Sequence, residues 1–287
     1  WKAAESPKAC AKCILDARRR PPISIMRRVV HLVGLLSTSA QPVSRRVLLV
    51  RHGETNFNKA GRIQGTLESQ LTELGRQQAS ELGSWLAASH AGSIDRVVVS
   101  PKARTRATLD EIEASFAAAG APSLPEREVR MDLRELELTD WEGQYRKDIQ
   151  QNDAAQWTLW KSRPEELVFP SGHAPVPHLW TRTASEWAHL RGSTPPGTTT
   201  LVVAHGAFNR AFLARIFGLP IEAFVDEGGR FDFVNCECAE IEWRDDAEPT
   251  RVSLRWRRRH PRETAWSTAA EEQAAYAAKG RDASREL

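Results

Sequence analysis

Short apolar runs alternate with amphipathic stretches along most of this chain. Runs at 47–50, 97–99 and 201–204 consist almost entirely of valine, leucine and alanine, and polar residues follow each of them. Such runs are typical of strands buried on both faces of a sheet. The stretch from Leu71 to about Ala88 instead places leucines on one face of a predicted helix. Strands that alternate with helices predict an α/β fold.

The remaining elements are predicted from capping signals and periodicity. Ser100 and Pro101 are typical of a helix N-cap and first helical position, and Gly120 is expected to end that helix after Ala119. The other expected elements are an extended segment at 129–138, a helix at 208–217 and paired strands at 231–243 and 251–256. A length of 287 residues and this spread of elements favour one α/β domain with additions.

Charged and imidazole side chains follow the predicted strands. Arg51 and His52 end the first apolar run, Arg104 lies just beyond the second, and His205 ends the third. Glu135 lies in the stretch 133–136, where leucines flank it and Arg134. Ligands of open α/β sheets bind at the carboxyl ends of the strands, so these groups are expected to converge there. Taken singly, each could be a structural ion pair or a hydrogen-bonded histidine. Together they form a set suited to phosphoryl chemistry.

The order of these blocks resembles the histidine phosphatase superfamily, also called phosphoglycerate mutase-like. The matching blocks are 51–55 with Asn58, 62–65, 100–108, 133–143 and 205–206, and the resemblance covers about residues 46 to 243. Within that family, the tryptophan-containing stretch 157–187 and the segment 202–209 are similar to a plant chloroplast group described as 2-carboxyarabinitol-1-phosphate phosphatases. One departure is Thr139, where relatives often carry glycine.

The resemblance implies a three-layer α/β/α sandwich with a mostly parallel central sheet and the site at its carboxyl edge. It also implies the catalytic roles. Arg51 and Arg104 would bind phosphoryl oxygens, and His52 would attack phosphorus to form a phosphohistidine. Glu135 would protonate the leaving group and later activate water, while His205 would stabilise the equatorial oxygens. No cofactor and no metal are implied, and the expected partner is a small phosphorylated metabolite.

Further residues are expected to contact the substrate. They are Asn58, Arg62, Gln64, Gly65 and Gly206. For Asn58 and Gln64, a role in shaping the loop is an equally good interpretation.

The segment 144–197 is expected to be an insertion. With Trp141 at its edge, its tryptophans are Trp141, Trp157, Trp160, Trp180 and Trp187. Their spacing favours packing of this segment onto the sheet. The alternative is a lid that sets substrate choice, with His173 and Arg182 reaching a substrate carboxylate or sugar hydroxyl.

The interval between the proposed acid and the second histidine bears on the reaction. Glu135 and His205 are 70 positions apart. Mutases of the family usually carry a longer insertion there, so a phosphatase is favoured over a phosphoglycerate mutase-type phosphotransferase. A non-catalytic protein that binds a phospholigand is a second alternative.

Charge is distributed unevenly along the chain. Residues 1–45 hold nine Lys/Arg against two acidic residues, a net charge of +7, whereas the remainder holds 31 basic and 35 acidic residues, a net charge of −4. A basic, acid-poor leader predicts a transit peptide and import into the chloroplast stroma; the alternative is a basic extension that targets nothing. Arg27, Arg28 and His31 interrupt the apolar stretch 23–36, so we expect no membrane span there. The mildly acidic remainder argues against nucleic-acid binding.

The expected domains are the leader 1–45, a phosphatase domain at 46–260 and a tail at 261–287 that forms a loose helix or is disordered. Because the chain begins at Trp1, it is expected to be a fragment. The cysteines are Cys10, Cys13, Cys236 and Cys238. They are too few for a structural zinc site without other ligands and form no disulfide framework, which favours a reducing compartment. The sequence does not indicate an oligomeric state.

Overall fold

A seven-stranded sheet organises the part of the chain that the structure, a computed structural model, describes: residues 43–225, 231–244, 251–256 and 267–283. The strands are β1 Arg45–Arg51, β2 Arg96–Val99, β3 Arg127–Val129, β4 Thr199–Ala204, β5 Cys238–Trp243, β6 Arg251–Trp256 and β7 Ser267–Thr268. Their order is β3-β2-β4-β1-β5-β6-β7. The pairs from β3 to β1 are parallel, and those from β1 to β7 are antiparallel.

Eight helices accompany the sheet in the described ranges. They are α1 Asn56–Ala60, α2 Glu73–His90, α3 Ala103–Ala118, α4 Arg146–Asn152, α5 Ala154–Ser162, α6 Pro175–Ser193, α7 Gly206–Ile216 and α8 Ala269–Ala283. Short 3-10 helices lie at Met131–Leu133, Thr139–Trp141, Pro164–Glu166 and Ile221–Phe224.

The core has one apolar cluster on each face of the sheet. Successive strand residues point to opposite faces, so Leu48 and Val50 pack with α2 and α3, while Val47 and Leu49 pack with α6 and α7. All four of these β1 side chains are completely buried. This arrangement confirms the predicted three-layer sandwich, with its parallel strands on one side of β1.

The helix predictions hold, with a correction at the start of α3. α2 begins after Thr72, whose hydroxyl accepts a hydrogen bond from the backbone N–H of Gly75. α3 begins at Ala103 and not at Pro101, and its N-cap is Lys102. The prediction that Ser100 caps this helix is therefore wrong. Its hydroxyl bonds His205 instead.

Two predicted extended segments are mostly irregular. β3 ends at Val129, and a 3-10 turn replaces the extended chain expected up to Leu138. The strand expected at 231–243 begins only at Cys238, because the backbone before it turns over the end of β1, where the Phe233 carbonyl accepts a hydrogen bond from Arg51. In both places the backbone forms a loop at the end of the sheet and not a strand within it.

The tryptophans of segment 144–197 pack inward. Trp141 is buried and lies within about 6 Å, centroid to centroid, of Trp157, Trp160 and Phe169. Trp187 packs on Phe212 of α7. This is the packing role favoured from the sequence.

Several predictions lie outside the described residues. Among them are most of the predicted transit peptide and the residues Cys10, Cys13 and His31, which fall within 1–42. In the tail, residues 269–283 form α8. None of the described helices is both long and apolar enough to cross a bilayer.

Candidate active site

The charged groups predicted to converge do so at the carboxyl ends of β1, β2 and β4. His52 directly follows β1, Arg104 lies in the first turn of α3 after β2, and His205 is the N-cap of α7 after β4. A cavity of about 570 Å³ opens at this edge, and the residues that line it include Arg51, His52 and Glu135 but not Arg104 or His205. The parallel register of these strands brings their ends to one edge, which explains the convergence.

His52 is held in one tautomer. Its Nδ1 lies 2.7 Å from the carbonyl oxygen of Gly53, so Nδ1 carries the proton that it donates and Nε2 keeps a lone pair. The side chain is 2% exposed. Burial, and then the positive charges of Arg104 and Arg51, hold its pKa well below the usual value. His52 is therefore a neutral imidazole with a nucleophilic nitrogen.

His205 is fixed on both ring nitrogens. Arg104 Nε donates to its Nδ1 at 3.2 Å, so Nε2 carries the proton and donates to the Ser100 hydroxyl at 2.7 Å. The two imidazole centroids are 5.3 Å apart and nearly edge to face. Burial and the charge of Arg104 lower the pKa of His205 well below its usual value.

Arg104 is a buried cation tied to the backbone of the neighbouring loop. Its terminal nitrogens donate to the carbonyl oxygens of Gly65, at 2.9 Å, and Leu67, at 3.0 Å. Burial lowers its pKa to about 10, which leaves it charged at neutral pH. With its amide oxygen toward this guanidinium, Gln64 accepts from Arg104 and donates to the Thr55 hydroxyl. Gln64 thus orients Arg104.

Arg51 has a donor available for a ligand. One terminal nitrogen donates to the Phe233 carbonyl, but its buried Nε has no partner among the described residues. A buried N–H without an acceptor is costly, and a phosphoryl oxygen would satisfy it. Gly206 makes room for this side chain, because a Cβ there would lie 3.2 Å from the guanidinium carbon. Burial lowers the pKa of Arg51.

Glu135 lies at the N-terminus of α7. Its carboxylate accepts backbone N–H groups of Leu136 at 2.8 Å, Phe208 at 3.0 Å and Ala207 at 3.3 Å. The positive end of the helix favours an acidic group there. These bonds aim the carboxylate at the cavity that contains His52.

Arg182 holds the segment around Glu135 through hydrogen bonds to its backbone. It is 7% exposed and donates to the backbone carbonyl oxygens of Asp132, Arg134 and Glu135. The prediction that it reaches a substrate carboxylate is not supported, because Arg182 does not line the cavity and its two terminal nitrogens donate to this loop. It is a positioning residue.

The other predicted contact residues lie around the mouth of the cavity. Asn58 and Arg62 line it, although the Asn58 Oδ1 also caps α1 and Arg62 Nε donates to the Gly143 carbonyl at 2.6 Å. Gly65 has a positive φ of 50°, and a Cβ would lie 2.0 Å from the Glu142 carboxylate. Glycine is therefore required at position 65, because the backbone there has a positive φ and because Glu142 lies too close to leave room for a Cβ.

His173 does not line the cavity. Its Nε2 lies 3.0 Å from the Glu137 carbonyl oxygen, and its ring packs edge to face on His178. The prediction that it contacts the substrate is not supported, because the turn before α6 directs the ring to the outer side of the Glu135 loop.

Sequence reasoning missed several groups that line the cavity. They are Arg146, Trp157, Trp160, Lys161, Arg210, Phe224, Asp232, Phe233 and Val234. Arg146 is near enough to Arg51 for its charge to lower the Arg51 pKa. Arg210 is paired with Asp232. The spacing of Trp157 and Trp160 on one helical face was the only signal in the sequence.

Comparison with known proteins agrees with this geometry. Residues 47–257 match the family described as the histidine phosphatase superfamily (branch 1). The chain belongs to the histidine phosphatase superfamily.

Superfamily members similar to this chain include plant and bacterial proteins. A "Probable 2-carboxy-D-arabinitol-1-phosphatase" of Arabidopsis thaliana is 31% identical over 225 residues, which cover 76% of this chain and 43% of that protein. A "2-carboxy-D-arabinitol-1-phosphatase" of Triticum aestivum is 35% identical over 182 residues, covering 63% and 34%. The chain thus spans less than half the length of either protein.

A solved structure also resembles the fold. It is a putative alpha-ribazole-5'-P phosphatase from Escherichia coli, with a TM-score of 0.61 and 26% identity, covering 72% of this chain and 95% of that one. The likeness extends over nearly the whole of the smaller protein and supports the sandwich described above.

Proposed function

We propose that this chain is a phosphomonoesterase that hydrolyses a small phosphorylated sugar or sugar acid through a phosphohistidine on His52. The observation that carries the proposal is the pairing of a lone pair on His52 Nε2 with the unpartnered Nε–H of Arg51 in one cavity. The His52 lone pair is a nucleophile, and the Arg51 Nε–H is a hydrogen-bond donor that a phosphoryl oxygen would satisfy.

In the first step, His52 Nε2 forms a bond to phosphorus while the ester P–O bond breaks. Arg51 holds a nonbridging oxygen through its unpartnered Nε–H, and Arg104 and His205 hold the others after exchanging their bonds to the Gly65 and Leu67 carbonyls and the Ser100 hydroxyl for bonds to the phosphoryl group. Protonated Glu135 gives its proton to the departing alkoxide. In the second step, water attacks phosphorus, Glu135 accepts a proton from it, and the P–N bond breaks. Inorganic phosphate leaves and neutral His52 is restored.

The outer part of the cavity supports a sugar acid as the leaving group. Trp157, Trp160 and Phe224 offer aromatic faces for a sugar chain. Arg146 and Lys161 line the cavity and have no acidic partner among the described residues, so they are available to a carboxylate. A substrate such as 2-carboxyarabinitol 1-phosphate, named for the plant relatives, or a related sugar phosphate would use both parts.

The test is product analysis with the full 287-residue chain. Phosphate release from 2-carboxyarabinitol 1-phosphate should exceed that from arabinitol 1-phosphate, which lacks the carboxylate. The His52→Ala variant should be inactive, whereas His189→Ala, a change on α6 outside the cavity, should retain activity. Isomerisation of 3-phosphoglycerate without net phosphate release would instead indicate a mutase. Binding of either ligand with no turnover would indicate a non-catalytic phospholigand-binding protein.

A location in the chloroplast stroma is part of the proposal. The basic leader and the similarity to two plant proteins support it. Fusion of the full chain to a fluorescent protein should give plastid fluorescence in leaf cells, and diffuse cytoplasmic signal would contradict it.

A further inference from the structure

A second cluster of chemically reactive side chains lies outside the cavity. Glu137, His173 and His178 each present a ligand atom, and these atoms all lie within 4.8 Å of one another. The Glu137 Oε2 is 3.7 Å from His178 Nδ1. Among the described residues, these three side chains are close enough together to hold one metal ion. None of the three lines the active-site cavity.

The three side chains come from parts of the chain that the fold holds in place. Glu137 is two residues beyond Glu135, in the segment that Arg182 fastens through the Glu135 carbonyl. His178 lies in the first turn of α6, and its backbone N–H bonds the Ala174 carbonyl. His173 is held by the bond from the Phe169 N–H to its carbonyl. The ligand positions are thus set by the backbone and not by a flexible tail.

The hydrogen bonds around the cluster suit metal binding. The bond between His173 Nε2 and the Glu137 carbonyl requires a proton on Nε2, which leaves Nδ1 with a lone pair. Histidines that bind metals commonly donate their other ring nitrogen to a backbone carbonyl in this way. Arg134 engages Glu137 Oε1 at 3.3 Å and leaves Oε2 directed toward His178.

The donor set selects the ion. Two imidazoles and one carboxylate are typical ligands of Zn²⁺, which binds nitrogen and oxygen at about 2 Å and completes a tetrahedron with water. Hard cations such as Mg²⁺ prefer oxygen ligands alone. The ligand atoms lie within 4.8 Å of one another and must approach further to bind one ion, and the 45% exposed side chain of His178 has space at the surface to rotate.

We propose that Glu137, His173 and His178 form a Zn²⁺ site that clamps the Glu135 loop to the start of α6. Leu136 connects the two sites directly, because it precedes Glu137 in the chain and its N–H bonds the Glu135 carboxylate. An ion bound by Glu137 and the two histidines would therefore restrict the motion of the segment that carries the acid. The inference does not depend on which ester the enzyme hydrolyses.

The test is calorimetric titration of the full chain with ZnCl₂, with MgCl₂ as the comparison ion. His178→Ala removes one ligand at the surface, Glu137→Gln removes the carboxylate, and His189→Ala changes a histidine on the same helix outside the cluster. The wild type and His189→Ala should bind Zn²⁺ equally. The affinity for this ion should fall at least about tenfold in the other two variants.

A second readout locates the effect. Saturating Zn²⁺ should slow amide hydrogen exchange at residues 135–138 in the wild type and leave it unchanged in His178→Ala. Zinc binding that survives both Glu137→Gln and His178→Ala would place the ion elsewhere in the chain. That result, or no binding by the wild type, would overturn the proposal.

Discussion

His52 and His205 are buried imidazoles beside two arginines, and this setting fixes their charge. Burial and then the charge of Arg104 lower the pKa of both. A neutral His52 is what nucleophilic attack requires, so the same arginines that would bind the substrate also keep the nucleophile unprotonated.

The lowered pKa values predict how stability depends on pH. The unfolded chain takes up protons on these histidines as the pH falls below their usual value of 6.5, whereas the folded chain does not. The stabilisation is thus complete above that pH and is lost as the pH falls toward the lower folded values. The melting temperature should fall less between about pH 7 and about pH 5 in His205→Asn than in the wild type. An equal fall in melting temperature in both proteins would contradict the burial of His205 as a neutral imidazole. The control is His189→Asn, which should behave like the wild type.

Arg182 is predicted to act on catalysis without contacting substrate. Arg182→Ala removes three hydrogen bonds to the backbone around Glu135. We expect kcat to fall about tenfold to a hundredfold with a smaller change in KM, because the acid is misplaced by a fraction of an ångström. The cost in stability should be about 2–3 kcal/mol. Steady-state kinetics and thermal melts measure both.

The control for that variant is Arg191→Ala, which changes an exposed arginine on the same helix. It should leave kcat near the wild-type value. If Arg182→Ala raised KM and left kcat unchanged, direct substrate contact would replace the positioning role.

At the scale of elements, α4 and α5 form one wall of the cavity. Arg146 begins α4, and Lys161 lies in the last turn of α5. Both residues line the cavity, so the segment predicted to be an insertion forms part of its wall. Trp157 and Trp160 of the same segment also pack around Trp141. The packing interpretation is therefore confirmed for Trp157 and Trp160, while a lid that sets substrate choice stays a prediction.

Removing the wall's charges should change substrate preference. Arg146→Gln combined with Lys161→Gln should raise KM for 2-carboxyarabinitol 1-phosphate by about tenfold, equivalent to about 1.4 kcal/mol, and change KM for arabinitol 1-phosphate much less. Lys147→Gln is the matched control, because Lys147 is the neighbour that does not line the cavity. Equal changes for both substrates would show that these cations do not recognise a carboxylate.

Close backbone approach between α2 and the loop after β1 is a second element-scale feature. A Cβ on Gly75 would lie 2.1 Å from the Glu54 carbonyl oxygen, whereas one on Gly192 in α6 would meet nothing within 4 Å. Gly75→Ala should therefore destabilise the fold by about 2 kcal/mol or more. Gly192→Ala should stabilise it by about 0.5–1 kcal/mol, since alanine favours a helix. Chemical denaturation of both variants checks the contrast, and equal effects would refute it.

Across the whole molecule, the sequence predicted what depends on local pattern. The buried runs predicted β1, β2 and β4, and the motif order predicted which side chains gather at their ends. Local pattern did not predict that Ser100 would leave the helix cap for His205, because that bond spans 105 positions. The same limit applies to Arg182 and to the Glu137, His173 and His178 cluster, whose members meet only after the insertion has folded against the Glu135 loop.

The proposed mechanism requires that a substrate bound by Arg51 and Arg104 phosphorylate His52. Rapid acid-free quenching during turnover, followed by peptide mass spectrometry, measures this directly. We expect a phosphate on the His52 side chain that appears before inorganic phosphate and disappears when substrate is exhausted. Turnover with phosphate release and no phosphorylation of His52 at any quench time would contradict it.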